Sequence, residues 1–487
     1  MTVYLVGAGP GDPGLVTVRG AEVLARADVV VFDRLAPPEL LDLVPAGAER
    51  IDVGKSPRHP TMSQEDINAV LVDRGLAGLE VVRLKGGDPY VFARGAEEAA
   101  ALAGAGVDFE VVPGVSAAFA VPAAAGIPVT LRQRSTSVTV VTGHEDPAKG
   151  APQVDWEAVA RVGGTIVILM GVTHLRTIAE RLQSGGLDPG TPVAAVTWGT
   201  RPNQRSVRAT LATIADAGVE APATIVVGDV AAEELDWFGR RPLFGRTVVV
   251  TRARPQASDL AVRLRAAGAE VVEAPVISIG APTDRGAALS AALAAIDRYD
   301  WLVVTSPNGA ARVCDGCRDA RDLAGVRVAA IGPGTARVLA DRGIVADLVP
   351  PRFVAESLLE VFPDPPPTGG RILLARAEQA RDVLPEGWRA QGWEVDVVAA
   401  YRTDRAPVDP TLVDQVRSAD VVTFTSSSTV ERFLDAFGQD AVPPVVACIG
   451  PVTAATARER GLRVDVEAGE HTIGGLVDAL SEWAAPT

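Results

Sequence analysis

Cysteine is scarce, with three in 487 residues. That excludes a disulfide framework and fits a reducing cytoplasm. Two of the three form a lone CxxC, Cys314-Asp315-Gly316-Cys317, but no second pair accompanies it and Cys448 lies far away in sequence. A tolerated loop pair is the simpler reading. His59, His144, His174 and His471 show no metal-ligand spacing, so no metal is expected. Aromatic residues make up 5% of the chain against 47% apolar, so the cores must be built of Ala, Val and Leu. No apolar run approaches the ~20 residues of a membrane span. Met1-Thr2-Val3-Tyr4 leads straight into a strand, so neither signal peptide nor anchor is expected, and the location is read as cytoplasmic. Positive charge is also short. The net charge is −15, spread as −8 over residues 1–242 and −7 over 243–487, which argues against nucleic acid as a partner. An anionic substrate would need a local basic cluster working against that field. Lysine is rarest of the bases: only Lys55, Lys85 and Lys149. A lysine kept where arginine is the default points to a need for a compact or titratable ammonium, with chance as the open alternative. Nucleophile elbow, Walker loop and zinc cluster are all missing.

What is present begins with a loop. Val3-Tyr4-Leu5-Val6 runs into Gly7-Ala8-Gly9-Pro10-Gly11-Asp12-Pro13-Gly14, a stretch that lets backbone approach a ligand closely. With Asp33 about twenty residues on, it has the outline of a dinucleotide fingerprint. Three features oppose a phosphate ligand. Asp12 would face it with negative charge, Pro10 removes an N–H, and Pro13-Gly14 delays the helix. The loop suits a ligand that is neutral or cationic at this point.

Residues 1–112 alternate strands (3–7, 28–32, 50–53, 80–84, 109–112) with helices (17–26, 63–75, 95–105), a parallel-sheet pattern. A second α/β unit follows, with strands near 137–142, 165–169, 192–197 and 223–228. Residues 233–241 read as a short polar helix or tail. Arg240 to Gly245 is the expected seam, after which Arg246 to Arg252 starts a new strand. The second half repeats itself. Asp300 to Asn308 precedes Ala329-Ala330-Ile331-Gly332-Pro333-Gly334-Thr335, and Asp420 to Ser428 precedes Ala447-Cys448-Ile449-Gly450-Pro451-Val452-Thr453. Two similar lobes are implied, with hydroxyl-rich loops at the carboxyl ends of parallel strands, where open sheets bind ligands. The competing reading is that each Ser or Thr caps the next helix. Pro363 to Gly370 reads as a linker between lobe segments.

Val81 to Pro89 (VVRLKGGDP) is a second strand-to-glycine loop. Asp88 would accept from a ribose or an amino group, or form a tight Asx turn. Arg94 stands at the mouth of a helix from Gly95, with Glu97 one turn on: a carboxylate grip, or a solvated ion pair. Arg132-Gln133-Arg134 adds positive charge before the next strand.

These residues resemble two known families. Residues 1–242 resemble uroporphyrinogen-III C-methyltransferase, a tetrapyrrole methylase, through VGAGPGDPGLVT at 6–17, VVFDRL at 30–35, VGK at 53–55, VVRLKGGDPYVFARGAEE at 81–98, VVPGVSAA at 111–118, AGIPVT at 125–130, VTGHED at 141–146 and PATIVVGDV at 222–230. Residues 243–487 resemble uroporphyrinogen-III synthase through TRAR at 251–254, TSPNGA at 305–310, IGPGTA at 331–336, AYRT at 400–403, TSSST at 425–429 and IGPVTA at 449–454. The resemblance implies an α/β chain: a two-subdomain methylase fold (about 1–112 and 135–240), then a two-lobed synthase with parallel sheets (about 246–279 plus 404–487, and 280–403). It implies S-adenosylmethionine as methyl donor, in contact with Pro10, Gly86, Gly87, Asp88, Val91, Ser116, Ala117, Met170 and Gly199. Asp33 matches the family's proposed proton acceptor and Lys55 its proposed donor. Arg94 and Glu97 are rival catalytic candidates, and Arg132 a substrate carboxylate ligand. For the synthase it implies cyclisation of hydroxymethylbilane with inversion of one ring, Thr305, Ser306, Thr335, Ser426 and Thr453 as ligands, and Tyr401 assisting loss of the hydroxyl. It also implies a homodimer through the methylase half.

The chain departs from the pattern in places. The methylase family commonly has Thr-His-Arg-Asp where this chain has Thr130-Leu131-Arg132-Gln133, and Asn-Gly-Thr where it has Trp198-Gly199-Thr200. Ser116 replaces a Thr, and the segment from Lys55 to His59 is one residue short. Two other readings stay open: an oxidoreductase holding a nicotinamide nucleotide in the first loop, and a second half that binds tetrapyrrole without turning it over.

Overall fold

The structure is a computed structural model that describes residues 2–54, 62–144, 154–251, 254–405, 408 and 410–485. The chain divides into two compact units: Met1–Thr247 with Arg263–Val271 and Leu480–Thr487, and Val248–Val262 with Val272–Ala479.

The first unit holds two five-stranded sheets. The strands of the first are β1 (Val3–Gly7), β2 (Val29–Phe32), β3 (Glu49–Asp52), β4 (Val81–Lys85) and β5 (Phe109–Val112), in the order β3-β2-β4-β1-β5 and all parallel. The period of two explains why β1 is buried throughout. Tyr4 and Val6 enter one core with Val30, Val82 and Leu84, while Val3 and Leu5 enter the other with Val29, Val31 and Val81. Helices α1 (Val18–Leu24), α2 (Gln64–Leu76) and α3 (Gly95–Gly104) fall where the sequence predicts them. Because β1 and β4 are adjacent central strands, the loops leaving their carboxyl ends meet.

After helix α4 (Ala117–Ala124) comes the second sheet: β6 (Val138–Thr142), β7 (Thr165–Leu169), β8 (Pro192–Thr197), β9 (Arg205–Thr210) and β10 (Ala223–Val227), ordered β6-β7-β10-β8-β9. Only β6 and β7 pair in parallel; β10 runs antiparallel to both its neighbours and β9 antiparallel to β8. Strand β9 is absent from the sequence reading. Its residues, Arg-Ser-Val-Arg-Ala-Thr, are those of a sheet edge, where charge is tolerated and the hydrophobic signal is weak.

The other two sheets lie mostly in the second unit. Strands β11 (Thr247–Val250), β12 (Glu270–Glu273), β18 (Val421–Phe424), β19 (Val445–Cys448) and β20 (Val466–Glu467) form one, ordered β12-β11-β18-β19-β20. Strands β13 (Ile277–Gly280), β14 (Trp301–Val304), β15 (Arg327–Ala330), β16 (Arg371–Ala377) and β17 (Glu394–Arg405) form the other, ordered β13-β17-β16-β14-β15 and parallel except for β13. Pro363–Gly370 joins two elements of this one sheet side, helix Ala355–Val361 and β16, rather than separate lobe segments. It packs on Trp393, whose Nε1 donates to the Pro363 carbonyl at 3.2 Å.

The sequence repeat is a repeat of contacts. Val328 N–H donates to Asp347 Oδ2 at 2.7 Å, and Val446 N–H to Asp465 Oδ2 at 3.0 Å, each across 19 residues. Gly332 lies under the Phe353 ring and Gly450 under the His471 ring, so each glycine opens its helix against an aromatic from the following loop.

Candidate active site

In the first unit three loops converge on glycine. A Cβ on Gly114 would lie 2.3 Å from the Gly87 carbonyl oxygen and 2.6 Å from the Gly7 Cα. No other residue fits there, and the loops after β1, β4 and β5 meet backbone to backbone. Gly9 and Gly87 lock the first two by exchanging N–H···O bonds of 3.2 and 2.7 Å. Asp88 fastens the third: Oδ1 accepts from Tyr90 N–H at 2.8 Å and Oδ2 from Gly114 N–H at 3.0 Å. The Asx turn is therefore present, and it also organises the crevice. Gly87 has φ +69, and a side chain there would meet only the Ala117 amide, at 3.8 Å. The space in front of that glycine holds no other atom within 4 Å.

Ser116 and Ala117 lie beside this glycine at the start of α4. Ser116 caps α4, its Oγ accepting from Ala118 N–H at 3.3 Å, and is almost buried. Gly199 packs on α4, where a Cβ would lie 2.2 Å from Val121 Cγ1. Thr200 Oγ1 accepts from Asp12 N–H at 3.0 Å, and Asp12 Oδ1 accepts from Gly14 N–H at 2.8 Å. The Asp12 carboxylate is thus turned to its own loop. Gly86 rests against the Leu35 side chain. Val91 and Met170 are exposed, and Met170 has a left-handed backbone, φ +55.

Beneath this surface lies a charged cluster that the sequence reading does not identify. Arg83 and Lys85 are two apart on buried β4, so both project to the same face. Glu98 of α3 meets them there with its side chain fully buried. Its Oε1 accepts from Lys85 Nζ at 2.8 Å, Arg83 Nε at 3.1 Å and Gln64 Nε2 at 3.4 Å, while Oε2 has no partner among the described residues. Arg83 Nη2 reaches out to Asp33 Oδ2 at 3.4 Å, and Leu35 N–H donates to Asp33 Oδ1 at 3.1 Å. Two cations and two carboxylates make one chain of charge that runs from buried Glu98 out to the half-buried Asp33. Burial, seconded by Arg83, lowers the Lys85 pKa from its ordinary value. The signal available in sequence was Arg-x-Lys on a strand buried on both faces, which demands an internal anion.

Arg94 and Glu97 hold each other at 2.9 and 2.7 Å, both half exposed, and that hydrogen bond lowers the Glu97 pKa. Arg132 is exposed at the tip of the Leu131–Ser135 turn. Lys55 lies outside the described residues.

In the second unit the expected hydroxyls divide. Ser306 and Ser426 are helix N-caps, accepting from Gly309 N–H at 3.0 Å and Thr429 N–H at 3.3 Å. Thr335 and Thr453 are buried one turn into the helices Pro333–Ala340 and Pro451–Glu459, and Thr305 is half-buried at the end of β14. Tyr401 is nearly buried on β17 beside Gly309, and its backbone carbonyl accepts from Glu378 N–H at 2.9 Å.

Residues 2–215 match the family model for tetrapyrrole (corrin/porphyrin) methylases, and residues 258–478 that for uroporphyrinogen-III synthase HemD. The porphyrin biosynthesis protein HemD of Ruminiclostridium josui is 37% identical over 494 residues, 99% of this chain and 97% of that protein. The S-adenosyl-L-methionine-dependent uroporphyrinogen III methyltransferase of Methanosarcina barkeri is 53% identical over 232 residues, 47% of this chain and 91% of that protein. The crystal structure of uroporphyrin-III C-methyl transferase from Thermus thermophilus complexed with S-adenyl homocysteine is 40% identical and covers 47% of this chain and 98% of that one, with a TM-score of 0.41. The identity over nearly the whole length shows the family: the chain belongs with the HemD porphyrin biosynthesis proteins, carrying a tetrapyrrole methylase in its first half and a uroporphyrinogen-III synthase in its second.

Proposed function

We propose that the chain is a bifunctional enzyme of tetrapyrrole biosynthesis. The second half cyclises hydroxymethylbilane to uroporphyrinogen III with inversion of one ring and loss of water. The first half methylates that product at two ring carbons, giving precorrin-2. The observation that carries the methylase reading is the backbone convergence of Gly7, Gly87 and Gly114, with Asp33 held by Arg83 after the neighbouring strand β2.

The donor set fits S-adenosylmethionine. Gly86, Gly87, Ser116, Ala117 and Gly199 offer backbone and a small hydroxyl to a neutral adenosyl group, and a side chain at Gly87 would fill the space before Ala117. Bound there, the sulfonium supplies an electrophilic methyl. The protein's share is positioning, since in-line displacement depends on alignment. We assign Asp33 as acceptor of the proton released from the tetrapyrrole, with Arg83 orienting its carboxylate. Lys55 is proposed as proton donor and Arg132 as a carboxylate ligand; Arg94 and Glu97 are rivals for the catalytic role. In the second half, Thr305, Ser306, Thr335, Ser426 and Thr453 are proposed to bind the linear tetrapyrrole and Tyr401 to assist departure of its hydroxyl. We also propose a cytoplasmic homodimer that needs no metal; its mass by light scattering tests the dimer.

The deciding experiment supplies hydroxymethylbilane and S-adenosylmethionine to the full chain and separates the products. Type III isomer carrying two added methyl groups is the expected result. Type I isomer alone would remove the synthase reading, and unmethylated type III isomer the methylase reading.

A further inference from the structure

We propose that Arg34, Trp198 and Arg201 form a basic aromatic clamp on the wall of the methylase crevice, which holds one carboxylate-bearing pyrrole ring of the tetrapyrrole. The clamp rests on the methylase reading, and it adds to Arg132 a second point of attachment.

Trp198 follows β8 with φ +49. A bulky residue in the left-handed region is strained and persists only where its surroundings impose it. What the strain achieves is visible in the ring's company. The Arg201 guanidinium lies 5.1 Å from the indole centroid and that of Arg34 lies 6.0 Å from it. Two guanidiniums share one indole, and neither makes an ion pair with a described carboxylate. Among the described residues the Arg201 side chain makes one hydrogen bond, from Nη2 to the Leu35 carbonyl at 3.0 Å, and its buried Nε has no partner. Arg34 is exposed. The carboxylates of Glu39 and Glu270 act on Arg201 from beyond salt-bridge distance, so both guanidiniums keep donors for the anionic groups of a ligand.

The position suits the chemistry. Arg34 is the chain neighbour of Asp33. The stem of Arg201 packs against Gly11, where a Cβ would lie 2.7 Å from its Cγ, so the clamp adjoins the loop after β1. Uroporphyrinogen carries two carboxylate side chains on each pyrrole. An indole offers that ring a face, and the two guanidinium forks offer its carboxylates their donors. In a chain of net charge −15, two guanidiniums outside any ion pair among the described residues are a feature that a polyanion can use.

The test uses the full chain and the variants Trp198→Asn and Arg34→Gln. Asparagine tolerates the left-handed region, so the first variant is expected to fold at least as well as the wild type. Uroporphyrinogen III methylation gives KM and kcat, calorimetry gives the affinity for S-adenosylhomocysteine, and fluorescence quenching by uroporphyrin III gives tetrapyrrole binding independently of turnover. Each variant should raise KM and weaken uroporphyrin binding about tenfold, with kcat and S-adenosylhomocysteine affinity held. Arg34→Gln should also flatten the salt dependence of KM. Unchanged uroporphyrin binding in both variants would overturn the clamp, as would a parallel loss of S-adenosylhomocysteine affinity, which marks a structural role for the loop. Failure of the wild type itself to transfer methyl, with uroporphyrin binding still reduced in the variants, would sink the methylase reading and leave the clamp standing.

Discussion

The two halves of the chain solve different chemical problems, and their interiors differ accordingly. The first unit buries Arg83, Lys85 and Glu98, whereas the second, among the described residues, buries no Asp, Glu, Lys or Arg, and its buried Ser and Thr are Thr251, Thr335, Ser357, Thr423, Thr429 and Thr453. Left-handed non-glycine residues follow the same division. Among the described residues, Phe92, Arg94, Gln133, Met170, Trp198 and Thr200 lie in the first unit and only Arg285 in the second. Moving a proton from a carbon as a methyl arrives calls for fixed charge and a strained, preorganised frame. Guiding a floppy polyanion through ring closure calls for many weak donors, which caps and helix openings supply.

If the comparison is right, the largest effect comes from breaking the buried charge chain. Glu98→Gln leaves Arg83 and Lys85 with Asp33 as their sole described carboxylate, and unpairing a buried ion pair costs about 3–5 kcal/mol. The loss should appear in denaturation of the full chain followed by S-adenosylhomocysteine binding, which reports on the first unit and avoids treating two units as one transition. A loss below about 1 kcal/mol, the value of an exposed pair, would mean that the cluster is solvated and the contrast between the units is false.

Next come the glycines. Gly114→Ala sets a methyl 2.3 Å from the Gly87 carbonyl oxygen. The three loops must part, at about 1–3 kcal/mol, and S-adenosylhomocysteine binding should be lost with them. Gly334 provides the opposite case in the second unit. Its nearest neighbour, Pro307 Cγ, is 4.0 Å away, and Gly334→Ala within a helix should stabilise by about 0.5–1 kcal/mol. Equal effects at the two positions would erase the distinction between a closed backbone frame and an open one.

A smaller effect separates the units by pH. Burial lowers the Lys85 pKa in the folded chain below its ordinary 10.5. Between the folded value and 10.5 the unfolded chain therefore binds more protons, so stability rises with pH across that window. The penalty is fully present below the folded pKa and vanishes once lysine is neutral in both states. Lys85→Met should abolish this alkaline rise in first-unit stability, measured as denaturation midpoint against pH. The second unit buries the Cys448 thiol, which burial pushes up to about 11, so its stability should instead fall as pH rises through the window above the ordinary thiol value of 9.0.

How far these features were legible from the sequence depends on their physics. Strands β1, β2, β4 and β5 announce themselves through apolar runs, and the crevice loops through glycine. Strand β9 does not, because an edge strand carries Arg205 and Arg208 at little cost. The adjacent acids Glu97 and Glu98 look alike in sequence, yet one is half exposed on Arg94 and the other fully buried under β4. Only the helix phase distinguishes them. Trp198 was visible as a departure from the family pattern, but no propensity assigns tryptophan a positive φ; tertiary contacts impose it. In the second unit the repeat was legible as text, and the paired Asp347 and Asp465 bonds give it physical form.

The smallest effect tests that repeat. Ser306 and Ser426 hold matching positions, each accepting an N–H three residues on, so each hydroxyl satisfies one of the orphan donors at a helix start. Removing either by Ser→Ala should cost about 1 kcal/mol, and the two costs should agree within a few tenths. Chevron or urea midpoints of the second-unit transition give both values. The catalytic readout then decides what the hydroxyls do besides capping. A cap that only supports its helix lowers stability and leaves the yield of type III isomer per folded molecule unchanged. A hydroxyl that also binds substrate lowers that yield beyond the stability loss. If Ser306→Ala and Ser426→Ala differ in yield while agreeing in stability, the two lobes share a fold but divide the work on the substrate between them unequally.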